Sequence, residues 1–532
     1  MPALSRFARA CALCLPCLFL PPALAQTAPP QVDESALRAH LALLSSDLFE
    51  GRGTGQRGGD LTVAYLETQA RVLGLRPAAG ESYRQAVKLV GIQAQSDGLR
   101  AVAQGKELRW QDGRDWLPGS DLDSSSVFDH PLLFVGYGIH APQENWDDYK
   151  DVDCKGKILL MLSGEPQPTA QAPQRFAGAA LSYFGRRSYK AEEALRRGAA
   201  GVIFIHTEAN ALTSWSVLAN GQGEHFKLDD GKPGLALQAW LSEAASAELL
   251  QAAGLDLKTL HSEAESGKLQ ARALALRLQG RLQVKARRLE QYNIAALIPG
   301  TDPQLKHEWV IYSAHWDHLG RKEGSQGDLI FNGAVDNASG TASLLAMAQA
   351  AVRHPGKRSQ LFLWVAAEEQ GLLGSAWYAA HPLTPLGKTA ANLNLDTMNF
   401  VGRTRDISVF GSERSDLHGY AAQVARSMGL ELAPPRVDTH GVYFRSDHFS
   451  FAKAGVPAFS VGSGSQYLQA DGGLKRKGYG ARYHQASDEY DPAWDLSGMR
   501  EQAQFTLNLG RALADAPALP QWKPGDPFAK AR

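Results

Sequence analysis

His315, Asp336, Glu369, Asp396 and His484 are residue types that hold divalent metal ions, and they follow one another along the C-terminal half of the chain. Imidazole nitrogens and carboxylate oxygens suit zinc, whose catalytic sites keep a position open for water. Two zinc ions sharing a water lower its pKa and stabilise both ends of a reacting bond. Such a pair needs one bridging carboxylate, with a histidine and a carboxylate for each ion. Two histidines and three carboxylates meet that need. Asp336 suits the bridge because it lies in Asn332-Gly333-Ala334-Val335-Asp336-Asn337-Ala338-Ser339-Gly340, a turn whose backbone can approach a metal closely before a helix begins. Glu368, beside Glu369, is then free to take a proton from the water while its neighbour binds metal. Asp317, two residues after His315 on an extended segment, shares its side and suits a hydrogen bond that fixes the imidazole tautomer. Each piece alone has a plainer reading. The Asp336 turn is also a helix cap, the Glu368-Glu369 pair a solvated helix start, and His318 an ordinary polar neighbour.

Strands must position these groups. The apolar run 309–314 ends at His315, the run 361–367 at Glu368-Glu369, and Leu393-Asn394-Leu395 at Asp396. Ligands bind at the carboxyl ends of strands in open α/β sheets. From Gln291 onward the pattern predicts strands at 293–298, 309–314, 360–367, 392–396, 406–410 and 457–461. Helices are expected at 339–353, 371–380, 415–428 and 496–514. This alternation predicts an α/β fold, a mixed, mainly parallel sheet sandwiched by helices. Upstream, 33–46 and 60–73 have helical apolar spacing, and Phe49-Glu50-Gly51-Arg52-Gly53-Thr54-Gly55 reads as a glycine-rich connector between them. Between about 96 and 285 the texture is of short strands and turns without a ligand cluster. This predicts a β-rich insert with its core at about 125–275. The remaining divisions are 26–95 as the first part of the sheet domain, 286–515 as its main part, and 516–532 as a loosely held tail.

The chain has 532 residues, 44% of them hydrophobic, enough for a large core. Its 55 basic and 55 acidic residues balance, which gives no footprint for nucleic acid or an anionic membrane. Residues 1–25 read as a secretory signal, with Arg6 and Arg9 ahead of an apolar stretch and Ala23-Leu24-Ala25 as the cleavage site. The expectation is an exported protein, periplasmic or secreted, with no stable membrane insertion. Cys154 would be the lone cysteine after cleavage, a half-buried thiol with no intrachain disulfide.

Ser313–Gly320, Gly333–Gly340, Ala367–Ser375, Asn394–Met398 and Tyr483-His484 resemble, in order and spacing, the co-catalytic zinc aminopeptidases, which include secreted bacterial leucyl-type enzymes and glutamate carboxypeptidase. The resemblance covers about 30–95 and 286–515. It implies the zinc exopeptidase fold, two zinc ions per chain and peptide substrates. One zinc would sit on His315, Asp336 and Asp396, and the other on Asp336, Glu369 and His484. Glu368 would be the general base, Asp317 would orient His315, and Tyr483 would stabilise the oxyanion. Residues 125–275 are similar to a protease-associated domain. Arg445-Ser446-Asp447-His448-Phe449 would form a pocket wall, with Asp447 in a structural hydrogen bond. Runner-up readings are a single-zinc glutaminyl cyclase-like transferase, disfavoured by the full ligand set, a carboxypeptidase, and an inactive binding relative. Arg403, Arg405, Arg436 and Arg445 are too dispersed along the sequence to argue for carboxylate selection.

Overall fold

The computed structural model describes residues 30–529 except 104, 208–213, 221–222 and 325. The expected signal segment, 1–25, lies outside the described residues. Two helices open the chain, α1 (Glu34–Leu44) and α2 (Arg57–Val72). Asp33 caps α1 by accepting a hydrogen bond from the Ser35 amide. There follow β1 (Arg84–Ala103), β2 (Ser126–Phe134), β3 (Ile158–Leu162), α3 (Arg187–Arg196), β4 (Gly201–Ile205), β5 (Leu237–Leu241) and β6 (Arg272–Ile298). The last part contains β7 (Trp309–His315), α4 (Ser339–Ala351), β8 (Ser359–Val365), α5 (Leu373–Ala380), β9 (Thr389–Leu395) and β10 (Asp406–Phe410). It ends with α6 (Leu417–Ser427), α7 (His448–Lys453), β11 (Ala458–Ser463) and α8 (Ser497–Asp515).

The strands order as β10-β11-β9-β7-β8-β6-β2-β3-β4-β5, with β1 also paired to β6. At the centre β7 runs parallel to both β8 and β9, and β9 parallel to β11, whereas β6 meets β8 and β10 meets β11 antiparallel. This is the mixed, mainly parallel sheet expected. Its middle strands are covered on both faces, so Val310, Ile311, Tyr312, Leu361, Phe362, Leu363 and Leu393 are all fully buried and read as continuous apolar runs. Helix α4 is buried nearly all round, which its small alanines permit, and it packs with α1 and α8 on one face of the sheet.

Sequence patterning placed the elements after Gln291 within a few residues but missed the ribbon that precedes them. β1 and β6 pair antiparallel from Arg84 opposite Ile294 out to Val102 opposite Arg277. The ribbon alternates charged and apolar residues along most of its length, so it carries no buried-strand signature. It crosses both 95/96 and 285/286. One hydrophobic core draws on residues 32–89 and 294–514 with Phe226, and a second lies wholly within 99–282. Cys154 is buried and free. Among the described residues, no helix is long and apolar enough to cross a membrane.

The tail expected to be loose is packed as far as 529. Trp522 and Phe528 are 8% and 6% exposed within an apolar cluster that includes Tyr443, Phe449 and Phe451. The Trp522 indole donates to the Gly455 carbonyl at 2.8 Å, and Asp526 pairs with Arg414 at 2.8 Å. Two aromatic anchors and a half-buried ion pair hold a segment whose proline content suggested a free end. Trp522→Ala is expected to cost ~3 kcal/mol in urea-induced unfolding. An unchanged midpoint would mean that the anchor contributes nothing.

Candidate metal centre

The five expected ligands converge at the carboxyl ends of β7, β8 and β9. His315 is the last residue of β7, Asp396 directly follows β9, and Glu369 lies in the turn after β8. Asp336 comes from the turn before α4 and His484 from the segment after α7 and β11. The two oxygens of Asp336 face different histidines: Oδ1 is 3.3 Å from His315 Nε2, and Oδ2 is 3.2 Å from His484 Nε2. His315 Nε2 is also 3.5 Å from Asp396 Oδ1, and His484 Nε2 is 3.2 Å from Glu369 Oε2. One carboxylate thus stands between two imidazoles, each with a second carboxylate of its own.

Donor chemistry fits a divalent cation. His315, Asp336 and Glu369 bring one donor atom each within 4.8 Å of one another, as do His315, Glu368 and Asp396. His315 Nε2 is buried and has no hydrogen-bond partner. Its Nδ1 lies 3.1 Å from the Asp317 carbonyl, which can only accept. The proton of the neutral ring therefore sits on Nδ1 and the Nε2 lone pair faces the carboxylates, the tautomer a metal requires.

Asp317 orients the site by a different route from the one expected. Its carboxylate is 3.9 Å from His315 Nδ1, and its main-chain oxygen makes the closer contact. The carboxylate accepts instead from the Glu368 amide at 3.0 Å and the Glu369 amide at 3.3 Å. Asp317 therefore fixes the glutamate turn and the histidine together. Burial is the main reason its carboxyl is pushed up to about 6.

The adjacent glutamates are driven apart. Burial raises Glu368 well above the ordinary range; His315 opposes this, and the charges of Glu369, Asp447 and Asp396 reinforce it. Burial and Asp336 work to raise Glu369 as well, but His318 and His484 outweigh them and hold it at about 2. One carboxyl favours a proton and its neighbour favours charge, which is how acid-base roles divide in a shared site. Tyr483 stacks on His484 with ring centroids 3.9 Å apart and is 37% exposed. Burial of its hydroxyl, followed by the Asp336 and Glu369 charges, raises the phenol and keeps it protonated.

Several contacts that hold this site were not foreseen from sequence. His318 is buried rather than an ordinary neighbour, and its Nδ1 donates to Glu369 Oε1 at 2.6 Å. Arg52, from the glycine-rich connector, is fully buried and donates to the carbonyls of Leu44, Trp316, Asn332 and Gly333. It clamps the backbone on both sides of the site, and burial brings its guanidinium down to about 10 against the pull of Asp488, Asp317, Asp336 and Glu369. The Val335 and Asp336 amides each donate to the Asp488 carboxylate at 3.1 Å. Ser446 donates to Asp396 Oδ2 at 2.7 Å. Asp447, expected in a structural hydrogen bond, is fully buried, with the Ser375 hydroxyl acting to lower its pKa but no well-aligned partner on either carboxylate oxygen among the described residues. Burial is the main cause that pushes it to about 7.

Local backbone is specialised here. Gly333 has φ +54°, and a β-carbon there would lie 2.2 Å from the Asp336 carbonyl oxygen and 2.5 Å from the His318 ring. Arg52, Ala367, Thr397 and His484 adopt left-handed conformations without being glycine. Each is a site residue or the immediate neighbour of one. Such positions cost roughly 1–3 kcal/mol and persist where surrounding contacts over-determine them.

The fold and the clustered donors define a candidate site for divalent metal at the strand ends of a mixed, mainly parallel sheet. Residues 293–508 match the model of Peptidase family M28. Leucine aminopeptidase 1 of Trichophyton rubrum is 29% identical over 181 residues, 32% of this chain and 47% of that protein. The probable leucine aminopeptidase 2 of Aspergillus oryzae is 28% identical over 214 residues, 37% of this chain and 40% of that one. The chain spans less than half the length of these relatives. An aminopeptidase from Aneurinibacillus sp. strain AM-1 aligns in structure with a TM-score of 0.51 at 17% identity, covering 92% of this chain and 96% of that one.

In the metal-free protein, burial works against protonation of His315 and His484. Their carboxylate neighbours outweigh it, raising His315 well above 6.5 and His484 to about 10. A raised histidine contributes stability fully below its unfolded value near 6.5, and that stability is lost as pH rises through about 10. Metal needs the neutral rings, so zinc binding at pH 7.5 should release on the order of one to two protons and tighten with pH toward about 10. Calorimetry in buffers of different ionisation enthalpy reads this directly. Absence of proton release would show that the rings are already neutral.

Proposed function

We propose that this chain is an exported aminopeptidase that holds two zinc ions and removes residues from the amino end of peptides. The placement of Asp336 between His315 and His484 carries this reading. His315, Asp336 and Asp396 would hold one ion, and Asp336, Glu369 and His484 the other. When bound, zinc supplies a water acidic enough to be deprotonated at neutral pH and polarises the peptide carbonyl.

The chain's own groups then divide the work. A Glu368 carboxylate oxygen takes a proton from the attacking water as the new carbon–oxygen bond forms. It delivers that proton to the departing amine nitrogen as the carbon–nitrogen bond breaks, so the carboxyl is unchanged over a cycle. Its tendency to hold a proton fits the half of the cycle in which it must carry one. Glu369, held in its charged form, stays a ligand throughout. Tyr483 keeps its hydroxyl proton and can donate it as a hydrogen bond to the carbonyl oxygen as negative charge develops there. Arg52, Asp488, Asp317 and Ser446 fix backbone and carboxylates so that these groups need not reorganise during the reaction. The second core, within 99–282, supports the further proposal that about 96–285 is an inserted module beside the catalytic one. The sequence of 1–25 supports export.

Two substitutions separate the roles. Glu368→Gln is expected to lower kcat on leucine p-nitroanilide by roughly a hundredfold to ten-thousandfold, with zinc content, read by elemental analysis, unchanged. Near-normal turnover would remove Glu368 as the base. Asp336→Ala should deplete both ions, and retention of two tightly held ions would refute the bridge.

A further inference from the structure

Beside Asp396 lies a cavity of about 440 Å³ whose lining charge is one-sided. Arg436, Arg476 and Lys477 line it, and the only carboxylate among its lining residues is Asp396 itself. Asp396 is engaged by Ser446 and belongs to the metal set. The three cations come from two separate stretches of chain, so nothing in their sequence spacing announces the cluster.

Their partners differ. Arg476 donates to the Thr397 and Met398 carbonyls at 3.0 and 3.2 Å, which anchors it directly after Asp396 without an ion pair to any described carboxylate. Neither the Arg436 nor the Lys477 side chain forms an ion pair or hydrogen bond with any described residue. The wall adds the hydroxyls of Ser408, Ser460, Ser463 and Ser465. Ser408, Phe410 and Arg436 also line a neighbouring 780 Å³ cavity, so Arg436 stands at the junction of two spaces and is reachable from either. Unpaired guanidinium and ammonium groups around a concave, serine-lined space are suited to charge-assisted hydrogen bonds with a carboxylate. An aliphatic side chain would gain little there.

We propose that this cavity is a specificity pocket for a substrate carboxylate, held by Arg436 and Lys477 with Arg476 as the fixed positive background. This rests on the aminopeptidase reading and adds to it a substrate class. A peptide can bring the carboxylate in two ways, as an acidic side chain on the residue released or as the free carboxyl terminus of a very short peptide.

The test uses the zinc-loaded full chain and the Arg436→Ala/Lys477→Ala double variant. Values of kcat/KM are measured for glutamate and leucine p-nitroanilides, and for Leu-Gly and its amide. A side-chain pocket gives a high glutamate-to-leucine ratio that falls roughly tenfold or more in the double variant. A terminal-carboxylate pocket gives the same fall in the ratio of Leu-Gly to its amide. Arg436→Lys, which keeps the charge, should retain most of the preference. Wild-type ratios that favour the uncharged partner in both pairs, or that do not change in the double variant, overturn the proposal. If none of the four substrates is cleaved, the activity reading fails on its own, and calorimetric binding of L-glutamate and L-leucinamide decides the pocket. Tighter glutamate binding that the double variant loses supports the pocket. Equal binding by the two proteins overturns it.

Discussion

Negative charge crowded into a buried volume is the constraint around which this molecule is organised. Asp336, Glu368, Glu369 and Asp396 gather at the ends of adjacent parallel strands, with Asp317, Asp447 and Asp488 behind them. Like charges at such distances in a poorly solvated space repel strongly unless cations intervene or some carboxyls keep their protons. The protein uses fixed partners as well. His315, His318 and His484 take up the carboxylates that stay charged, and main-chain amides fix Asp317 and Asp488. The remaining imbalance is what bound divalent metal would neutralise.

That arrangement demands an unyielding frame. The central strands are covered on both faces, α4 is buried nearly all round, and the turn carrying Asp336 is tied down at several points. Asp488 holds its amides, and the Asn337 side chain donates to the Leu395 carbonyl at the end of β9. Arg52 secures the opposite side by bonding four carbonyls from three segments far apart in sequence. A guanidinium used in this way is a structural strut. Its charge is offset by the same carboxylates whose loops it holds.

The parts of this design legible in the sequence are those written in local pattern. Apolar runs ending in His315, Glu368-Glu369 and Asp396 disclosed the strands and the candidate ligands together, because a parallel strand buried on both faces has a continuous signature. The supports were invisible for the opposite reason. Arg52 and Asp488 look like ordinary polar residues, and only the fold brings them against the turns of the site, while Ser446 was expected in a pocket wall but not on Asp396. His318 directly follows the recognised His-x-Asp and could have been weighed with it. The basic cluster was missed because Arg436 lies far from Arg476 and Lys477 in the chain. The β1–β6 ribbon was missed because a charged, alternating strand resembles loop composition. The tail was misjudged because Trp522 and Phe528 act as isolated anchors without periodicity.

The 27 residues of β6 belong to both halves of the molecule, pairing with β8 beside the site at one end and with β2 at the other. A strand shared in this way couples the two halves through a continuous hydrogen-bonded ladder, so sliding one half past the other would break its pairing. The spacing between the two halves is therefore set by the twist of one sheet. The loops and side chains that rim the strand ends lie outside that ladder and can vary without disturbing it.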